Sequence, residues 1–440
     1  MVIAKFAFYN YLLKYWERRI YMKINANEHG FSTENPGTLN SQIMNRLLSE
    51  YNDVTVTQGG NYAVDGTILI GSNSTLTFAD GVYLCREKKG AHAGYVIANK
   101  GAYTRTYDEN ITITGLNIKC GGVECSAPSK DFDGTIPGLR GHLSFFYVKN
   151  LTVKNFTALD LPEKDFGIHV CTFQNLLIEN VHIEGKKDAV HLGRGQNFVI
   201  RNGIFKTFDD PIALNAHDYA SSNPQLGWIE NGLIENCRDC NDTDTTGYFC
   251  RILAGSWCHW QKGMEIQNSD TVICGGRLYR ALMAPDGKVY TSLTPPSHPC
   301  GMEMYDGINW VMVQEEVCEN CGCRNIRFKD IFIEKNRPVA FSIHFDNDRF
   351  SRSVYPSSNA PIQENISFEN LQISGNVPVF LYAVTALKGF KITNSRLNGA
   401  TMEMSELEQV ENYPCADFEF SGTELPGVSK TPKRTVKIEY

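Results

Sequence analysis

The chain has no surplus of positive charge: 42 Lys and Arg stand against 49 Asp and Glu, a net charge of −7. That balance leaves no electrostatic footprint for nucleic acid. A long apolar run is missing too. Residues 1–24 are rich in aromatics (Phe6, Phe8, Tyr9, Tyr11, Tyr15, Trp16), but Lys5 and Lys14 interrupt them and no small-residue cleavage site follows. The segment reads as an amphipathic helix ending near Arg19, with Met22 an equally good start, and not as a secretory signal or a membrane span. A cytoplasmic location is favoured and no membrane partner is expected. Nor is there a disulfide framework, since the 14 cysteines fall at irregular positions and read as small buried fillers of a reducing compartment.

What the chain does have is a phrase that returns eight times: usually Asn, two variable positions, an apolar residue, one variable position, then Asn, Asp or Gly. The copies span 110–115, 150–155, 175–180, 197–202, 231–236, 325–330, 365–370 and 389–394. Only alternate positions such as Ile178, Ile200, Ile234 and Phe328 need be inside, so each copy predicts a short strand burying one face. A strand that short is stable only if stacked on its neighbours. The tightest spacing, 22 residues from Asn175 to Asn197, suits one rung of a parallel β-helix and is too short for a strand–helix–strand unit. The predicted class is therefore all-β, a parallel β-helix. Cys237 with Cys240 and Cys318 with Cys321 have a zinc-thiolate spacing, but the pairs fall in different rung registers, so no metal or cofactor is expected.

The ends and the interior of the solenoid differ. Residues 1–36 form an N-terminal extension. After Pro36 and Gly37, the spacing of Leu39, Ile43, Leu47 and Leu48 predicts a helix ending before Asn52, a cover for the end of the solenoid. The first part of the β-helix with this cap then spans 37–259, and the second part with a C-terminal tail spans 317–440. Between them residues 260–316 predict a small inserted β module. It carries the stretches Tyr279 to Ala281, Thr294 to Pro296 and Asp306 to Trp310. Its aromatic texture suits either a flap over an edge or a platform for stacking sugar rings.

Counting from the repeat Asn locates a cluster of acids. Asp188 lies thirteen residues after Asn175, and Asp210 thirteen after Asn197. The two are expected side by side on adjacent strands, with split titration, and Asp209 joins them at a turn. Matching Gly247–Leu253 to the same rungs sets Arg251 in line with His191 and Ala213. A guanidinium there can take a carboxylate or a hydroxyl pair in a bidentate manner.

Those residues resemble the polygalacturonase family, glycoside hydrolase family 28, of the pectin-lyase-like right-handed β-helix superfamily. The family carries N-T-D, D-D, G-H-G and R-I-K motifs in that order. Here Lys186-Lys187-Asp188 stands in the place of N-T-D, Phe208 to Asn215 (FDDPIALN) matches the D-D segment, and Arg251-Ile252-Leu253 matches R-I-K with leucine for lysine. The G-H-G histidine has no counterpart, and His217 and His259 are the candidates to replace it. The resemblance implies an inverting glycosidase acting on a pectin-type plant or microbial carbohydrate, with Asp209 as general acid and Asp188 and Asp210 as base, 6.5–9.5 Å away. It further implies a substrate-binding set of Arg251, His191, His217 and Asn215. The lost lysine argues for a neutral sugar beside Leu253. Two alternatives stand beside this reading: a phage-like tail or surface adhesin that binds glycans, and a polysaccharide lyase on the same scaffold.

Overall fold

The structure, a computed structural model, describes residues 20–87, 94–124, 136–218, 222–241, 245–284, 286–344, 354–358, 361–383, 386–405, 419–423 and 428–431. The N-terminal amphipathic helix expected before Arg19 lies outside them. Among the described residues no helix is long and apolar enough to cross a membrane.

The strands of the rungs stack in parallel register into one continuous 25-stranded sheet, the right-handed parallel β-helix expected. Its core is a set of columns. Along one of them Ile24, Val54, Leu76, Ile113, Val153, Ile178, Ile200, Ile234, Phe328, Phe368 and Ile392 follow one another from rung to rung. All are buried. The two phenylalanines stack face to face with centroids 5.0 Å apart. The alternation read from the repeat is thus the alternation between this column and the solvent.

The repeat asparagines turn the corners. Asn110, Asn150, Asn175, Asn197, Asn231, Asn325 and Asn365 all have φ between 53° and 61°, the left-handed region that Asn tolerates better than most residues. Each donates its side-chain amide to the side-chain oxygen of the residue one rung before, as in Asn175 to Asn150 (2.9 Å), Asn197 to Asn175 (3.2 Å) and Asn231 to Asn197 (3.1 Å). A second ladder joins Asn155, Asn180, Asn202 and Asn236 at the other end of the phrase. In the eighth copy Gly389 takes the same corner at φ 72°.

The helix Gly37–Glu50 lies against the first rungs and buries Met44, Leu47 and Leu48. A strand, Ile20–Asn25, precedes it and pairs in parallel with Tyr51–Val56, so the solenoid begins ahead of the helix. Between the rung strands Cys250–Leu253 and Cys323–Ile333 the chain leaves the solenoid to build a five-stranded sheet and two small two-stranded ones. This module has its own core, in which Tyr279, Ile308, Trp310 and Met312 are buried. Two aromatics of the expected sugar platform, Tyr279 and Trp310, are therefore interior: Trp310 alternates inward along Ile308–Gln314, and Tyr279 lies on Arg277–Ala281, a strand covered on both faces from Leu278 on.

Candidate active site

Three rungs supply the site. Val190 pairs with Ile212 and Ile212 with Cys250, which sets Asp188, Asp210 and Tyr248 in one row and His191, Ala213 and Arg251 in the next. Gly247 lets the third rung pass close over the acids: a Cβ there would lie 2.5 Å from the carbonyl carbon of Asp209 and 2.8 Å from the nitrogen of Asp210. The turn bearing Asp209 is pinned from below. Thr207 donates its hydroxyl to the Asp209 carbonyl (2.8 Å), and the buried Lys335 and Arg337 both donate to the Thr207 carbonyl (2.9 and 3.4 Å). Arg337 is itself paired with the buried Asp239 (Nη2 to Oδ1, 3.0 Å).

Oxygens of Asp188, Asp209 and Asp210 come within 4.8 Å of one another. Their surroundings differ. Asp188 and Asp210 have side chains 0% and 1% exposed, whereas Asp209 is 21% exposed. Burial, together with Asp209, pushes the Asp188 carboxyl up to about 7 against the pull of Lys187 and Arg251. Burial likewise carries Asp210 up to about 8, opposed by Arg251 and reinforced by the other two acids. For Asp209 burial is outweighed by Lys187, which contacts it directly, and by Arg251, so its carboxyl is held below the usual range.

The expected acid, Asp209, is the ionised member of the cluster, because Lys187 occupies the place of the family's neutral threonine.

The expected substrate-binding residues are brought to the same face but mostly under cover. Arg251 Nε lies 3.0 Å from Asp210 Oδ2, and burial of its charge is outweighed by Asp210, Asp218, Asp188 and Asp209 around it. It acts first as counter-ion to the acids. His191 is fully buried, with Nδ1 2.9 Å from Asp188 Oδ2 and its ring stacked on Phe166 at 4.0 Å; burial holds it neutral, down to about 3. Asn215 is buried and donates to Asp218 (2.7 Å), while His217 lies beneath the module beside Thr271 and Trp257. Leu253 is buried as well. His259 sits on the module strand that pairs with Ile273.

Two participants escape the sequence reading. Lys187 is one, although it and Asp209 share a register, each twelve residues after its repeat Asn. Asp218 is the other, a fully buried acid in a loop outside the repeat. The only member of the trio with appreciable exposure, Asp209, opens on a cleft of about 640 Å³ that Lys186, Lys187, Lys206, Phe208 and Leu159 help to line. Each of these lysines is matched by a carboxylate of the same wall: Lys186 by Glu163, Lys206 by Glu184 and Lys187 by Asp209. The CxxC pairs are apart: Cys237 pairs in register with Ile331 within the rungs, and Cys321 with Gly255 at the module's base.

No family model matches the chain, and no curated protein does. Among solved structures it is similar to an endo-xylogalacturonan hydrolase from Aspergillus tubingensis, with TM-score 0.47 and 10% identity over 92% of this chain and 95% of that one. A family 28 exopolygalacturonase from Yersinia enterocolitica gives 0.45 and 12% over 94% and 78%. PfbA, a surface adhesin of Streptococcus pneumoniae, gives 0.46 and 12% over 94% and 93%.

Proposed function

We propose that this chain is a glycoside hydrolase acting on a pectin-type, uronic-acid-containing carbohydrate, with Asp188, Asp209 and Asp210 as its acid–base machinery. The observation that carries the reading is the gathering of three carboxylates at one point, two holding protons near neutral pH and the third, paired with Lys187, at the mouth of a cleft. Acids pushed apart in proton affinity are the usual basis of acid–base assignment.

A uronate entering the cleft competes with Asp209 for Lys187. Once that cation turns to the substrate, Asp209 gains proton affinity and takes the proton of neighbouring Asp210. One transfer thus makes Asp209 the acid that protonates the leaving oxygen and Asp210 a carboxylate able to accept a proton from water. Asp188, positioned by His191, shares in holding that water. Because Asp188 and Asp210 do not line the cleft, neither is placed for direct attack on the sugar, and a water between them and the anomeric carbon is the expected nucleophile, which favours inversion.

Incubation with homogalacturonan and xylogalacturonan tests this. Release of reducing ends without the absorbance of an unsaturated uronate is expected, with inverted anomeric configuration by proton NMR. Unsaturated products would replace the hydrolase by a lyase, and retention would replace the water by a carboxylate nucleophile. One observation favours a non-enzymatic glycan-binding reading: the outer face around Asn215, His217 and Leu253 is covered, not open as a groove. Binding of pectic fragments without any cleavage would support it.

A further inference from the structure

A second cleft, of about 510 Å³, lies where the chain returning from the inserted module meets the rungs. None of its lining residues lines the cleft at Asp209, and none is a member of the acid cluster. Its floor is a ladder of planar polar groups: Gln174 pairs with Gln196, Gln196 with Glu230, and Glu230 with Arg324. Successive members are about 4.8 Å apart, the spacing of parallel strands. Half-buried Trp228 borders the floor, with the Arg324 guanidinium 5.0 Å from its ring centre. Tyr107, 43% exposed, also lines the cleft.

The charges here cancel locally. Arg324 is paired with Glu230, and Arg194 with Glu316 from the module's return. No unmatched cation is left on this wall to select a uronate. Carboxamides both donate and accept, carboxylates accept, and the guanidinium donates in a plane, while indole and phenol offer faces to apolar C–H surfaces. That combination suits the alternating hydroxyls and C–H faces of a neutral sugar, and the volume is in the range of small-ligand sites.

We propose that this cleft is a binding site for neutral glycan, built jointly by the rungs and the inserted module and separate from the acid cluster. It does not rest on the hydrolase reading. Calorimetric titration of the full chain with neutral xylo-, galacto- and gluco-oligosaccharides, and with oligogalacturonate, tests it. At least one neutral probe is expected to bind, equally well in Asp209→Asn. Trp228→Ala and Gln196→Ala should each weaken that binding at least tenfold with circular dichroism unchanged. Because Trp228 is half-buried, Gln196→Ala on the cleft floor is the decisive variant should the tryptophan change disturb folding. Absence of binding by every neutral probe, or neutral binding that survives Gln196→Ala, would overturn the proposal. So would binding of oligogalacturonate alone, or loss of neutral binding in Asp209→Asn.

Discussion

Replacing Lys187 by Met removes the cation that keeps Asp209 ionised and leaves the side-chain volume nearly unchanged. Lys187 contacts Asp209 directly and lies 3.8 Å from Asp188 Oδ1. Taking one partner from a buried ion pair costs about 3–5 kcal/mol, and the partial exposure of Asp209 places this case near about 2–3 kcal/mol. The sign depends on pH. In the wild type the lowered Asp209 carboxyl contributes stability that is present above the unfolded value near 4 and lost only as pH falls through its folded value. Without Lys187 that carboxyl rises and the protein must ionise it with only Arg251 to offset the charge, so the deficit is largest at pH 8. At pH 5 the acid simply protonates, and the cost should fall below about 1 kcal/mol. Urea unfolding at pH 5 and pH 8 measures it. Lys186→Met, which removes only the exposed pair with Glu163, is the control and should leave both midpoints unchanged. If Lys187→Met shifts the midpoint equally at both pH values, or no more than the control, the assignment of Asp209 as the ionised acid is wrong.

In the wild type, the raised Asp188 and Asp210 carboxyls contribute stability that is full below about pH 4 and lost as pH rises through about 7 and 8, so the urea midpoint should decline there. Asp188→Asn should flatten that decline, and an unchanged profile would count against the buried protons. Asn197→Ala imposes a left-handed conformation on alanine, at about 1–2 kcal/mol, and removes two ladder bonds worth roughly 1 kcal/mol each. Asn197→Gly keeps the conformation and should be less destabilising; the reverse order would refute the corner argument. Ile200→Asp puts an unpaired charge in the central column and should abolish folding, seen as loss of the β circular dichroism signal, since it costs several kcal/mol against a total of about 5–15.

The solenoid is legible in the chain because its core column follows one residue position of the phrase, from Ile113 through Ile392. The same counting that aligns Asp188 with Asp210 aligns His191 with Ala213, while Arg251 is found by matching its strand to theirs, and the strand register has all three in line. It contains Lys187 as well, one residue earlier, but a motif comparison that looks for threonine there gives the lysine no role. Asp218 is a different case: it reaches the cluster through a loop, and no periodicity marks a loop residue that packs on a neighbouring rung. The burial of Trp310 follows the alternation of its own strand, whereas Tyr279 lies on a strand buried on both faces, which no alternation marks. The strand Ile20–Asn25 carries no copy of the phrase, and its place is set by pairing with Tyr51–Val56.

The central claim is that the three aspartates break glycosidic bonds, and the most direct test is turnover of Asp209→Asn and Asp210→Asn beside the wild type on whichever galacturonan the wild type cleaves. Each variant should fold, with an unchanged circular dichroism spectrum, and release reducing ends at least about a hundredfold more slowly, the lower end of what general acid–base groups contribute. Near-native turnover by either variant would contradict the account.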